Sequence, residues 1–195
     1  MSATVPEAFV APQSAVARFY DRLVCLHHVI HDDWETSVAT QGAALDRSIR
    51  EFGGAPGDEV LDVACGIGTQ TLGLADRGYA LTASDISSGA VARARREAVR
   101  RNLLVDFSVA DMRRACEHHS SGFDVVLCAD NAVPHLLSDS DILQASRQFH
   151  ECLRPGGQCI LSVRDYAVVE RSGTQFEFHG VRQDGDARHL VFQVR

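Results

Sequence analysis

Several absences narrow the class of this chain before any motif is read. Its six cysteines (Cys25, Cys65, Cys116, Cys128, Cys152, Cys159) are widely spread and form no C-x-x-C pair. Cys65, Cys128 and Cys159 lie in or beside apolar segments, where a thiol behaves as a small hydrophobe. Free thiols in a reducing compartment are therefore expected rather than a disulfide framework. No stretch approaches the roughly 18 consecutive apolar residues of a membrane span. The strongly apolar run from Phe123 to Ala129 is broken by Asp124 and has the length of a buried strand. The first 17 residues carry no basic region followed by an apolar core, so no signal peptide is read and the cytoplasm is the expected location. The final Val-Phe-Gln-Val-Arg matches no lipidation motif. Positive charge is in deficit, with 19 basic against 26 acidic residues and a net charge of −7. That argues against nucleic acid as a partner, because neutralising phosphates calls for a basic face. The local exception is Arg93, Arg95, Arg96, Arg100 and Arg101, which read as a solvated helix face.

What is present is an ordinary globular composition: 195 residues, 45% of them hydrophobic. This excludes a disordered chain and suggests one domain with a small appendage. Residues 1–55 read as a loose tail (1–13) and a helical lid (Ser14 to Phe52, broken around His31 to Trp34). Residues 56–166 alternate strands with helices. Strands are expected at Glu59 to Val63, Tyr79 to Ser84, Val105 to Val109, Phe123 to Ala129 and Gln158 to Val163. Helices are expected at Thr69 to Arg77, from a Ser88 cap to Asn102, and at Asp139 to Leu153 behind a Ser138/Asp141 capping box. Gly78 stops the first of these, and Pro155-Gly156-Gly157 turns the chain into the fifth strand. This rhythm means an α/β protein with a doubly wound, mostly parallel sheet. Residues 167–195 alternate about Asp184-Gly185, a β-hairpin signal.

The decisive segment is Val60-Leu61-Asp62-Val63-Ala64-Cys65-Gly66-Ile67-Gly68-Thr69, a strand running through a glycine turn into a helix. Glycines there allow a sharp turn and let a ligand touch the main chain. Asp85 ends the second strand, where a carboxylate can grip ribose hydroxyls, and Asp111-Met112 follows the third, where one can face an adenine amine. A dinucleotide would call for a third small residue where Thr71 stands, and its pyrophosphate would be repelled by Asp62. An acid beside the turn suits a ligand with a positive end, such as S-adenosylmethionine, which has an ammonium and a sulfonium and no phosphate.

On LDVACGIGT (61–69), Asp85, Ala110-Asp111-Met112, FDVVLCADNAVPHL (123–136) and LRPGG (153–157), the chain resembles the class I S-adenosylmethionine-dependent methyltransferases. The resemblance implies a Rossmann-like fold with S-adenosyl-L-methionine as cofactor. Asp62, Ala64 and Gly66 would line the methionine end of the donor, Asp85 would bind the ribose, and Asp111 and Met112 would hold the adenine. Asp130 would sit beneath the donor, and Gly68 and Ile86 complete the implied donor set. Two further segments resemble the glycine and sarcosine N-methyltransferases. Asp130-Asn131-Ala132-Val133-Pro134-His135-Leu136 looks like their acceptor loop, with Ala132 in place of a small hydroxyl residue. Ser162-Val163-Arg164-Asp165-Tyr166 looks like their Arg-Asn-Tyr segment, with Asp165 in place of asparagine. There the arginine receives the amino acid's carboxylate, a role that would fall to Arg164. The bland alternative for Arg164 is an ion pair with Asp165, Asp130 or Glu170. Phe19-Tyr20-Asp21 and Asp33-Trp34 resemble the lid of bacterial relatives. Tyr20 and Trp34 either contact the ligand or plug the gap between lid and sheet. His135 either touches the acceptor or orients its loop. His27, His28 and His31 lack carboxylates at a matching offset, so no metal is expected.

The reaction implied is in-line methyl transfer to a neutral amine, for which the protein supplies alignment and an enclosed site; no general base is assigned. The partner is thus a small amine or amino acid. Other readings are a methyltransferase for another small molecule, and a donor-binding protein without turnover. The second arises because the family usually carries two more strands after this point, so the resemblance implies a shortened sheet. An uncovered edge would favour self-association. Calorimetric titration separates the two ligand readings: S-adenosylmethionine is expected to bind and a nicotinamide dinucleotide not to. Asp85→Ala is expected to weaken donor binding by about 1.5–3 kcal/mol, the loss of charge-assisted hydrogen bonds.

Overall fold

The computed structural model describes residues 14–168, 173–174 and 176–194; the expected tail over 1–13, Glu170 and Arg195 lie outside the described residues. Strands β1 (Glu59–Asp62), β2 (Ala80–Asp85), β3 (Val105–Val109), β4 (Phe123–Cys128) and β5 (Leu153–Leu161) form one sheet in the order β3-β2-β1-β4-β5. Every pairing in it is parallel. The order reverses between β1 and β4, which makes the sheet doubly wound, as the alternation of strands and helices implied.

Period-two alternation in the central strands explains why both faces are covered. From β1 and β4, Val60, Val125 and Leu127 point into a core with Ile49, Leu74 and Tyr79. Their neighbours Leu61, Val126 and Cys128 point the other way, onto Ala115, Ala145, Phe149 and Cys152. The first face is covered by α2 (Trp34–Glu51), α3 (Thr69–Ala75) and α4 (Ser88–Arg100), the second by α5 (Ala115–His119) and α6 (Asp139–Cys152). Strands buried on both faces read as continuous apolar runs, which is why they were visible in the sequence.

Helix starts follow side-chain capping. Ser14 caps α1 (Ala15–Leu23), Asp33 caps α2 and Ser138 caps α6 by accepting from the Asp141 amide. The cap of α4 is Ser87, one residue before the expected Ser88, because Ser87 has extended backbone and its hydroxyl accepts from the Ala90 amide. Gly78 follows α3 at φ +87°, as its stop role requires. Other segments differ from the sequence reading: α5 was not expected, and the hairpin turn falls one residue after the expected Asp184-Gly185. The break between α1 and α2 holds a 3₁₀ turn, His27–Ile30. Pro155-Gly156-Gly157 does not precede β5 but lies inside it, as an irregularity where the register shifts between Phe123 and Val125.

The C-terminal hairpin, β6 (Phe176–Asp184) with β7 (Ala187–Val194), is antiparallel and turns at Gly185-Asp186. It does not extend the main sheet. Arg182 bonds the His31 carbonyl and the Asp32 carboxylate, so the hairpin leans on the segment between α1 and α2. In the main sheet β5 keeps only β4 as a neighbour. The arginines of α4 are not merely solvated. Arg93 bonds the Val24 carbonyl, Arg95 the Phe107 carbonyl, and Arg100 and Arg101 both reach Glu35. Four charges thus tie the N-terminal helices and β3 to α4. Among the described residues no helix is long and apolar enough to cross a membrane.

Helices α2 and α3 meet at Gly42 and Gly73. A Cβ on Gly73 would lie 2.4 Å from the Val38 carbonyl oxygen and 2.9 Å from the Gly42 Cα. Alanine gains about 1 kcal/mol of helix propensity over glycine. Overpacking costs about 1–3 kcal/mol, and it falls here on backbone that cannot rotate aside. Gly73→Ala is therefore expected to lower stability by about 1–2 kcal/mol in urea unfolding; a gain in midpoint would mean the two helices separate freely.

Candidate functional site

The carboxyl ends of the strands open into a cleft of about 300 Å³, roofed by α1 and the 3₁₀ turn. Its wall includes Ala64, Cys65, Gly66, Asp85, Ile86, Asp111, Met112, Asp130, His135 and Tyr20. Nine of the residues picked out from sequence therefore face one space: Ala64, Gly66, Asp85, Ile86, Asp111, Met112, Asp130, Tyr20 and His135. Asp62, Gly68, Asn131, Arg164 and Trp34 lie outside that wall.

The glycine turn is built by its neighbours. The Cys65 amide bonds the Ser84 carbonyl, and the Gly66 amide bonds the Asp85 carboxylate at 2.9 Å. Gly66 sits at φ +54°, and a Cβ there would project toward the His27 ring at 3.8 Å, into the cleft. Gly68 has a different job. It opens α3 at φ +96°, and a Cβ would press on Leu72 and Ala94 at 3.1–3.3 Å. Its smallness serves helix packing. Asp62 is enclosed behind the turn at 1% exposure, accepting from the Thr71 hydroxyl at 2.6 Å and the Ala64 amide at 3.2 Å. Burial pushes its carboxyl up to about 6. Thr71, which fitted a dinucleotide turn poorly, stands where it can satisfy this acid. Trp34 is a plug: its indole N–H donates to the Thr69 hydroxyl at 2.9 Å, and Arg93 and Arg101 stack over its ring.

The acids of the wall differ in their partners. Asp85 accepts the Gly66 and Ser87 amides, and burial raises its carboxyl above the ordinary range. Burial would raise Asp111 as well, but the Arg113 guanidinium and amide outweigh it and hold that carboxyl low. Arg113 also pairs with Asp141, so the one cation lining the cleft among the described residues is spent on two carboxylates. The wall is left acidic. The rim above it is joined by the Tyr20 hydroxyl and His135 Nε2, 2.8 Å apart. Burial, then the Asp85 and Asp130 charges, raise the Tyr20 pKa, while burial and His31 press His27 down to about 4.

The methyltransferase domain family matches residues 60–157, half of the chain. The chain belongs to that family. A glycine/sarcosine N-methyltransferase of Parasynechococcus marenigrum is 31% identical over 80% of this chain and 51% of its own. A ubiquinone biosynthesis O-methyltransferase of Pseudomonas aeruginosa is 31% identical over 58% of this chain and 47% of its own. The chain thus spans about half the length of these curated relatives. A solved S-adenosylmethionine-dependent methyltransferase of Clostridium acetobutylicum shares the fold, with a TM-score of 0.64 over 93% of this chain and 80% of that one, at 14% identity.

Within this methyltransferase-family domain, the roles of three groups escaped the sequence reading. Asp21 accepts from the Ser87 hydroxyl and the Gly89 amide, pinning the lid to the start of α4. Arg113 was one of several helix-flanking arginines until folding set it between Asp111 and Asp141. Ser162 binds the Asp130 amide through its hydroxyl and the Asn131 amide through its carbonyl, at 2.9 and 3.1 Å. Apart from the Arg113–Asp111 contact, these pairings join residues distant in sequence and leave no local signal.

Asp62 generates a pH test. Its native carboxyl titrates near 6, above the unfolded value of about 3.9, so the native state holds the proton more tightly. Its contribution to stability is complete below the unfolded pKa and is lost as pH rises through about 6. Between pH 4 and 7.5 the stability of Asp62→Asn, relative to the parent chain, is expected to rise by roughly 1–3 kcal/mol. Paired urea melts measure it, and a pH-independent difference would mean that Asp62 titrates normally.

Proposed function

We propose that this chain is an S-adenosylmethionine-dependent N-methyltransferase acting on a small amino acid such as glycine or sarcosine. S-adenosylmethionine is the methyl donor, and its sulfonium is what activates the methyl group. The acidic wall, with its single cation already paired, suits a positively charged ligand. Asp85 retains lone pairs beyond its two amide contacts and is assigned to the ribose hydroxyls. Asp111 and Met112 are assigned to the adenine. Ala64 and Gly66 present backbone to the methionine end, with Asp62 holding their turn from behind.

The observation that carries the acceptor reading is the Asn131 bridge. Its side-chain oxygen accepts from the Arg164 amide at 3.1 Å, and its amide nitrogen donates to the Tyr166 hydroxyl at 2.7 Å. Three residues of the two acceptor-like segments are thereby locked together at the ends of β4 and β5. Among the described residues the Arg164 side chain makes no ion pair, which leaves its fork available for a carboxylate. Tyr20 and His135 join across the rim above, which narrows the space in which the amine is aligned with the methyl group. Trp34 acts indirectly, by fixing Thr69. A second reading, transfer to an oxygen acceptor, draws on the ubiquinone O-methyltransferase relatives.

Steady-state methylation of glycine, sarcosine and matched amines lacking the carboxylate tests the proposal. Glycine or sarcosine is expected to be preferred. Lysine keeps charge but loses the planar fork, so Arg164→Lys and Arg164→Ala should cut amino-acid turnover alike, by roughly 10–100-fold, the scale of a lost bidentate charged contact of about 1.5–3 kcal/mol. Donor titration should be unchanged in both. Full glycine turnover by Arg164→Lys would make the arginine structural.

A further inference from the structure

Among the described residues lining the cleft, Asp130 is the carboxylate that nothing in the protein satisfies. Asp85 accepts two amides, and Asp111 and Asp141 share Arg113. The Asp130 side chain is exposed and, among the described residues, makes no hydrogen bond and no ion pair. The groups its charge reaches are Tyr20, His27 and His31. Tyr20 is a neutral phenol below its raised pKa, and burial leaves His27 neutral at pH 7, so neither cancels the anion.

The backbone keeps this acid in place. Asp130 and Asn131 are consecutive non-glycine residues at φ +53° and +65°, a conformation most side chains avoid. Ser162 holds both amides, and Asn131 fastens the Arg164 backbone. An anion and a guanidinium, each without an ion pair among the described residues, thus follow adjacent parallel strands whose ends are cross-linked through one asparagine.

We infer that Asp130 receives the acceptor's nitrogen, so that with Arg164 it selects a zwitterionic amino acid over an uncharged or purely anionic analogue. This rests on the methyltransferase reading above. In the transfer, the bound ammonium first gives one proton to water; the nitrogen lone pair so freed forms the new N–C bond, and the C–S electron pair stays with sulfur. The positive charge passes from sulfur to nitrogen, and the methylated ammonium later loses a proton to water. An anion beside the nitrogen interacts with that growing charge more strongly than with the neutral amine, so it favours the transition state over the ground state. Asp130 also directs the N–H bonds away from the methyl group, leaving the lone pair to face it.

The experiment is calorimetric titration of the chain saturated with S-adenosylhomocysteine, using glycine and its hydroxyl analogue glycolate. Asp130→Asn and Asp130→Gly are the variants, since asparagine and glycine both accept a left-handed backbone. The unaltered chain is expected to bind glycine at least tenfold more tightly than glycolate. Both variants should narrow that preference to within threefold by weakening glycine, with S-adenosylhomocysteine affinity kept within threefold. Equal binding of the two acids by the unaltered chain, no glycine binding at all, or an undiminished preference in the variants overturns the inference. Loss of S-adenosylhomocysteine affinity with the preference intact would reassign Asp130 to the donor. Failure of the unaltered chain to bind S-adenosylhomocysteine is seen before any acceptor is added, and it overturns the methyltransferase reading itself.

Discussion

Everything in the cleft depends on five strands running in one direction. Parallel strands must all end at the same edge, so the residues just beyond each end become neighbours however far apart they lie in the chain. Gly66 follows β1, Asp85 ends β2, Asp111 follows β3, Asp130 follows β4 and Arg164 follows β5. The edge also leaves backbone groups without ladder partners, and the chain satisfies them with the same residues. Asp85 takes the Gly66 amide, and Ser162 takes the amides of Asp130 and Asn131. Shaping the cleft and satisfying the strand ends are therefore one process.

Charge is distributed by a second choice. All 19 basic residues are arginine, and the chain has no lysine. A planar guanidinium can bond carbonyls and two carboxylates at once. Arg93 and Arg95 take carbonyls of the lid segment and β3, Arg101 and Arg100 share Glu35, and Arg113 joins Asp111 to Asp141. Positive charge is consumed in fastening elements together, and the described cleft wall is left acidic. That balance suits a sulfonium donor better than a phosphate-bearing one.

The relatives divide along the same line. Their names assign methyl transfer to nitrogen in one case and to oxygen, in ubiquinone biosynthesis, in another. A fold that presents a donor can serve many acceptors by varying the rim. In this chain the strained Asp130–Asn131 pair and the Tyr20–His135 contact stand beside the cleft.

The alternation of apolar strands with helices, the glycine turn and the acids after β2 and β3 were legible because they are local. Burial on both faces makes a strand apolar throughout, and a turn at positive φ needs glycine wherever the rest of the chain goes. The same locality made the hairpin readable from Asp184-Gly185, one residue before the turn, though not where it docks: it rests on the segment between α1 and α2 and, among the described residues, leaves β5 at an edge. Only the tertiary structure decided that Asp62 and Gly68 support the turn from behind, that Trp34 is a plug and that Arg113 neutralises two acids. It alone decided that Asp130 pairs with no cation among the described residues. The Trp34–Thr69, Gly68–Ala94 and Arg113–Asp141 contacts join residues distant in sequence. Such pairings follow from strand order and helix docking, and no periodicity in the chain records them.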